Sequence, residues 1–292
     1  MTANTPRKKQ KVIAITGATA TGKTALAIAT AKKINGEIIS ADSRLVYKEY
    51  DIATAKPTIE ERQGIKHYLI DVVEPEYDFS VADFCDMAKN AIREIASKGK
   101  TPIIAGGTGL YFRILLEDYD LPRVEANPEY RAKLEEYSCE ELYKRLQKID
   151  AKSAEKIHYN NKVKIIRALE VANATGKPMS EIAGKKEPEF DVEWIGLNFH
   201  NRELLYERVD KRVDIMLEKG LLKETETLLK KHGRIPTLLN TIGYQELIEY
   251  LDKKIDFEEA VKLIKQNSRH YAKRQITWFR RNPLINWKFL DD

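Results

Sequence analysis

The chain has 292 residues, of which 42% are hydrophobic and 33% charged, and its formal net charge is +5. Such a length accommodates one large domain or a core domain with an insertion, and no apolar run approaches the roughly 20 residues needed to cross a bilayer. The basic start (Arg7, Lys8, Lys9, Lys11) leads into an apolar stretch too short for a signal peptide, so neither a membrane-embedded nor a secreted protein is expected.

The first expected strand, residues 12–16, runs into Gly17-Ala18-Thr19-Ala20-Thr21-Gly22-Lys23-Thr24, a complete G-x-x-x-x-G-K-[ST] phosphate-binding loop, and then into an Ala/Leu-rich helix. In that strand–loop–helix context successive backbone N–H groups converge on one point and the helix adds its positive dipole end. Lys23 supplies a mobile charge and the Thr24 hydroxyl a ligand for Mg²⁺. A second strand, 37–40, delivers Asp42 to the carboxyl edge of the sheet, where ligands of open α/β folds bind. There Asp42 is expected to accept a proton, bind Mg²⁺ or cap a turn. A third strand at 68–72 carries Asp71, a helix spans 82–97, and a fourth strand at 102–105 leads into Gly106-Gly107-Thr108-Gly109. No acidic residue ends that fourth strand, so a nucleotide-hydrolysing machine is disfavoured unless Asp71 substitutes.

From 122 to 184 the chain is charge-rich, shows no convincing strand and reads as short helices, such as 140–148 and 161–175. A strand returns at 194–199, and everything after it reads as helical. The expected fold is α/β: a P-loop NTPase-like parallel sheet flanked by helices (residues 1–121 and 186–292), with a small all-helical insertion domain at 122–185. Arg208 and Arg212 share a helix face and both could reach a phosphate, unless Asp210 and Asp214 neutralise them. Toward the end, Lys262, Lys265, Arg269, Lys273, Arg274, Arg280, Arg281 and Lys288 occur without an acidic residue and interleave with Tyr271, Trp278 and Phe279. That pattern suits RNA, or an amphipathic helix with its aromatics in the core, or both on opposite faces. Cys85 and Cys139 have no metal-ligand spacing and point to a reducing, cytoplasmic setting.

Taken as a series, these motifs resemble the tRNA dimethylallyltransferases, also called tRNA isopentenyltransferases. The matching segments are GATATGKT at 17–24, ISADSRLVY at 39–47, DIATAKPT at 51–58, HYLID at 67–71, AGGTGLY at 105–111, IRALEVANATGKPMS at 166–180, VDIMLEKGL at 213–221, IGYQE at 242–246 and RHYAKRQITWFR at 269–280. They run in family order over nearly the whole chain, which lacks the zinc-finger extension of eukaryotic members and so is similar to the bacterial type. The resemblance implies transfer of a dimethylallyl group from dimethylallyl diphosphate to N6 of adenosine 37 in tRNA. It implies Asp42 as general base, Thr19 and Arg212 in stabilising the diphosphate, with Arg208 a rival, and Mg²⁺ as cofactor. It also implies tRNA contacts at Asp42, Ser43, Arg44, Leu45 and Thr108 and at Lys164, Ile165, Ile166, Arg167 and Ala168, with the insertion embracing the anticodon stem-loop of a monomer's tRNA substrate. Leu45 departs from the family's Gln, and an apolar side chain cannot hydrogen-bond a base. His67 and His158 are expected to be structural. The competing reading is a P-loop kinase that binds ATP and phosphorylates a small molecule or nucleotide.

Overall fold

The computed structural model describes residues 9–117, 119–120, 122–185 and 187–292. Arg7, Lys8 and the two expected domain boundaries at 121 and 186 lie outside the described residues. In chain order, β1 (Gln10–Gly17), α1 (Lys23–Ile34), β2 (Gly36–Ala41), β3 (His67–Tyr68), α2 (Val81–Ser97), β4 (Thr101–Gly106) and α3 (Gly109–Leu116) come first. Then follow β5 (Tyr119–Asp120), α4 (Pro128–Glu135), α5 (Cys139–Ile149), α6 (Ala151–Lys156), α7 (Lys162–Thr175), α8 (Met179–Ile182) and β6 (Gly184–Lys185). The chain finishes with β7 (Phe190–Asn198), α9 (Arg202–Glu218), α10 (Leu221–His232), α11 (Pro236–Leu239), α12 (Tyr244–Leu251), α13 (Phe257–Phe279) and β8 (Asn286–Phe289).

Six of the strands form one all-parallel sheet in the order β3-β2-β4-β1-β7-β8. An apolar run such as 12–15 suits a central strand because both its faces are covered. Ile13 and Ile15 pack with Ala27, Ile28 and Ala31 of α1, while Val12 and Ala14, which alternate with them, are fully buried as well. Phe112 of α3 meets Trp194 of β7 and Phe279 of α13 in a second apolar layer. A further core joins Val46, Tyr47 and Tyr50 to Val213, Leu221, Tyr244 and Leu247 under the C-terminal helices.

The chain divides into two compact units, one running to Leu116 and resuming at Glu189, the other Glu117–Pro188. In the second unit Leu134, Leu142, Leu146, Ile165, Ile166 and Leu169 make a core of their own. Three expectations need correction. The inserted unit is not all helical, because β5 and β6 pair as a short antiparallel ribbon. Only Tyr68 of the expected 68–72 strand enters the sheet, in β3 together with His67, since Leu69 and Asp71 take positive φ angles of 61° and 57° and break the extended run. The chain after 199 is not wholly helical either: β8 adds to β7 as a parallel edge strand, and four residues offer little period-2 signal.

Candidate active site

The phosphate loop lies between the end of β1 and α1. Gly22 is the residue before the helix, with φ +83°, and no side chain caps the helix start. A left-handed residue there costs glycine nothing, and the uncapped N–H groups of α1 keep their affinity for an anion. The Ala18 carbonyl accepts from Thr21 Oγ1 at 2.8 Å and from Lys23 Nζ at 2.6 Å, so the lysine folds over the loop. Burial, then the charge of Arg212, push the Lys23 amine down to about 7, against the opposing pull of Asp42. The Thr24 side chain, by contrast, is exposed.

Asp42 follows β2 on the same sheet edge. Its Oδ1 accepts from Arg44 N at 2.8 Å and Leu45 N at 3.4 Å, an Asx turn. Thr108 braces that turn, its Oγ1 accepting from Ser43 N at 3.0 Å while its own N–H donates to Ala41 O at 3.1 Å. The turn-capping reading of Asp42 therefore holds, and the same side chain lines a cleft.

That cleft has two connected compartments. A small one, about 90 Å³, is lined by Thr19, Lys23, Thr24, Asp42, Leu45, Thr54, Arg212, Tyr271 and Gln275 among others. A larger one, about 360 Å³, shares Thr19, Asp42, Thr54, Arg212 and Tyr271 and adds Ser43, Arg44, Met216, Asn240 and Arg274. Arg212 donates to Thr54 O at 3.2 Å; burial draws its guanidinium down and Asp42 opposes this. Arg208 is exposed, donates to Ala20 O at 3.0 Å and lies over the Phe199 ring. Arg212 rather than Arg208 thus lines the cleft. Asp210 and Asp214 pair elsewhere, with Arg269 at 2.7 Å and Lys265 at 2.6 Å.

Helix α13 closes the cleft. Burial, then the Asp42 carboxylate, push the Tyr271 hydroxyl up. Gln275 is buried; its Oε1 accepts from Thr19 N at 2.8 Å and its Nε2 donates to Gly107 O at 3.0 Å. A Cβ on Gly107 would lie 2.1 Å from Gln275 Nε2, and one on Gly109 2.2 Å from Trp278. The glycine turn after β4 is therefore small because α13 rests on it.

This is also where relatives become informative. Residues 45–282 match the family model described as IPP transferase. A tRNA dimethylallyltransferase of Caldanaerobacter subterraneus is 47% identical over 97% of this chain and 92% of its own length. One of Carboxydothermus hydrogenoformans is 48% identical over 95% and 91%. The chain belongs to the IPP transferase family. Among solved structures, the full-length tRNA isopentenylpyrophosphate transferase of Bacillus halodurans superimposes with a TM-score of 0.73 at 42% identity, over 97% of this chain and 91% of that one. A eukaryotic dimethylallyltransferase described as acting on tRNA reaches 0.84 at 32% identity, over 97% and 74%.

Within this IPP transferase the remaining residues of interest sort by burial. Ile165, Ile166 and Ala168 are buried in the core of the inserted unit, so their side chains cannot meet a ligand at its surface. Arg167 binds Glu170 and donates to Val124 O at 2.8 Å; Lys164 alone of the five is exposed. Asp71, the sequence-level substitute for a β4-end carboxylate, pairs with Lys56 and lines neither compartment. His67 Nδ1 donates to Ile65 O at 2.8 Å and burial lowers its pKa, while His158 accepts from Asn160 N at 3.2 Å; neither lines the cleft. Of the basic C-terminal run, Lys262, Lys265 and Arg269 pair with Glu259, Asp214 and Asp210. The interleaved aromatics also divide: Phe279 is buried, Trp278 covers Gly109 and Tyr271 lines the cleft. Sequence reasoning missed Gln275 and Thr54 as site residues. An amide at a helix position bracketed by the buried Ala272 and Phe279 was the available signal for Gln275; a backbone carbonyl leaves none.

Proposed function

We propose that this chain transfers the dimethylallyl group of dimethylallyl diphosphate to N6 of adenosine 37 in tRNA, releasing diphosphate. The observation that carries the reading is that Asp42 lines the same small compartment as Lys23, Thr24 and Arg212. An adenine amino group is a weak nucleophile because its lone pair is delocalised into the ring. Asp42 takes its proton as the N–C bond forms and the C–O bond to diphosphate breaks. Lys23, Arg212 and the N-terminus of α1 meet the charge that develops on the leaving group, with the Thr19 and neighbouring loop residues shaping its seat.

Mg²⁺ fits these residues. It keeps several waters and is held by few protein ligands plus phosphate oxygens, which matches an exposed Thr24 hydroxyl on a compartment that Asp42 also lines. Among the described residues no group of three or more His, Cys, Asp or Glu could hold a metal, so a bound Mg²⁺ would lean on the diphosphate. When bound it supplies further charge neutralisation to the leaving group.

On the same reading Arg44, Ser43 and Leu45 face the anticodon loop, whose unpaired adenine is extruded at modest cost. The inserted unit contributes tRNA contacts, with Lys164 the exposed candidate among its five. No helix among the described residues is long and apolar enough to cross a membrane, and a monomeric, cytoplasmic enzyme is the simplest setting. Incubation with dimethylallyl diphosphate and unmodified tRNA should add one C5H8 unit to residue 37, read by nucleoside mass spectrometry. A phosphorylated small-molecule product from labelled ATP, with tRNA left unchanged, would favour the kinase alternative instead.

A further inference from the structure

Three consecutive backbone N–H groups point at one carboxylate. Asp51 N donates to Glu224 Oε2 at 3.2 Å, Ile52 N to Oε2 at 2.8 Å and Oε1 at 3.0 Å, and Ala53 N to Oε1 at 3.1 Å. Successive amides converging in this way form a concave anion seat. Here the seat is filled by the protein's own side chain, from α10. Tyr244 Oη donates to the same carboxylate at 2.6 Å. Burial, then the neighbouring Glu224, push the Tyr244 hydroxyl up, so it remains a donor. The residue after this seat is Thr54, whose carbonyl accepts from Arg212 Nη2 at 3.2 Å. Thr54 and Arg212 line both compartments of the cleft, and Glu224 lines neither.

We propose that Glu224 is a positioning residue for the transfer reaction: by gathering the 51–53 amides it fixes the Thr54 carbonyl, and through it the Arg212 guanidinium that faces the donor's diphosphate. The inference rests on reading Arg212 as a diphosphate-binding group. A carboxylate suits the task because every partner is a donor; a carboxamide would turn an NH₂ toward at least one of those amides.

The test is a double-mutant cycle on the full chain with E224Q, R212A and the combination. It reads donor KM and kcat, affinity for inorganic diphosphate, tRNA affinity and the thermal midpoint. Losing one charge-assisted bond set on the order of 1.5 kcal/mol corresponds to about tenfold. E224Q should therefore raise donor KM and weaken diphosphate binding by that factor with tRNA affinity unchanged, and the double variant should be no worse than R212A alone. Multiplied losses in the double variant, or a lowered midpoint with donor KM unmoved, would overturn the proposal. Should E224Q not fold, Y244F removes one bond from the same carboxylate and must shift diphosphate affinity in the same direction. If the wild-type chain transfers nothing to tRNA, the functional reading falls, whereas the diphosphate-binding cycle still judges the Glu224–Arg212 coupling.

Discussion

The Thr19 N–H, inside the phosphate loop, donates to the side-chain Oε1 of Gln275 at 2.8 Å. The other end of that amide holds Gly107 O at 3.0 Å, so one buried side chain of α13 ties the phosphate loop to the turn that braces Asp42. Q275L should leave a half-buried N–H and a buried C=O without their partner, at roughly 1–3 kcal/mol for the buried group and less for the other. We expect a lower thermal midpoint together with a raised donor KM. G107A, whose Cβ would intrude on the same amide, should reproduce both effects. A normal donor KM in either variant would separate the loop from α13.

On the proposed reading Asp42 has two duties that a single substitution can separate. D42N keeps Oδ1 to accept from Arg44 and Leu45 but can no longer take a proton. Turnover should fall by about 10²–10⁴ while the midpoint and tRNA affinity stay within twofold to threefold. D42A loses the turn acceptor as well and should also be less stable. Turnover in D42N close to wild type would remove Asp42 from the chemistry.

On the proposed reading Lys23 should make donor binding pH-dependent. With its amine held down to about 7, its charge is present below that pH and lost above it, so donor KM should rise by up to about tenfold per pH unit above 7. Diphosphate binding should be accompanied by proton uptake there, measurable as a buffer-dependent calorimetric enthalpy. The folding sign is opposite. From about 7 up to the ordinary lysine value of 10.5 the unfolded chain binds the extra proton, so stability rises with pH across that window. K23M should flatten the stability profile and raise the thermal midpoint at pH 7 while abolishing donor binding.

Glu170 is the electrostatic centre of the inserted unit. Burial opposes its charge, but Arg131, Asn127 N and Arg167 together hold its carboxyl at about 2. Its contribution is complete above the ordinary value of 4.5 and is lost as pH falls from there toward 2. E170A removes the carboxylate that Arg131, Arg167 and Asn127 N share; with both arginines partly exposed, the cost should be on the order of 1–3 kcal/mol. Hydrogen exchange in α7 would rise sharply, and exchange in β1 would not.

The basic residues of α13 and its C-cap Arg280 divide by pairing. Lys273, Arg274 and Arg280 are exposed, whereas Arg269 is held by Asp210. K273A and R280A should each reduce the slope of log affinity against log salt for tRNA by about 1. R269A should lower stability instead, leaving Asp210 unmatched. An equal salt effect from all three would mean the pairing does not decide which bases meet the RNA.

Much of this was legible in the chain because local signals agreed with the fold. The glycines and Lys23 of the loop, the apolar run of β1 and the helical spacing at 82–97 all act within a few residues of themselves. What was not legible depends on distant pairing. β8 is a strand only because β7 offers an edge, and Asp71 leaves the site because Lys56 claims it. Ile165 and Ile166 look like any helical residues until the inserted unit's core is assembled around them. Which bases of the last helix stay unpaired is hidden for a related reason: the aspartates that hold Lys265 and Arg269 sit roughly 50–60 residues earlier, on α9.

The strand order has a consequence for biosynthesis. β1 bonds to β4 on one side and to β7 on the other, and the whole 117–188 unit is translated between those two neighbours. On the ribosome that unit is complete, with a core of its own, while one flank of β1 still shows unpaired amides and carbonyls of the kind that invite aggregation. Slow or stalled synthesis in this interval prolongs the hazard, and a holdase that shields nascent strands would be needed most just before residue 198 leaves the exit tunnel.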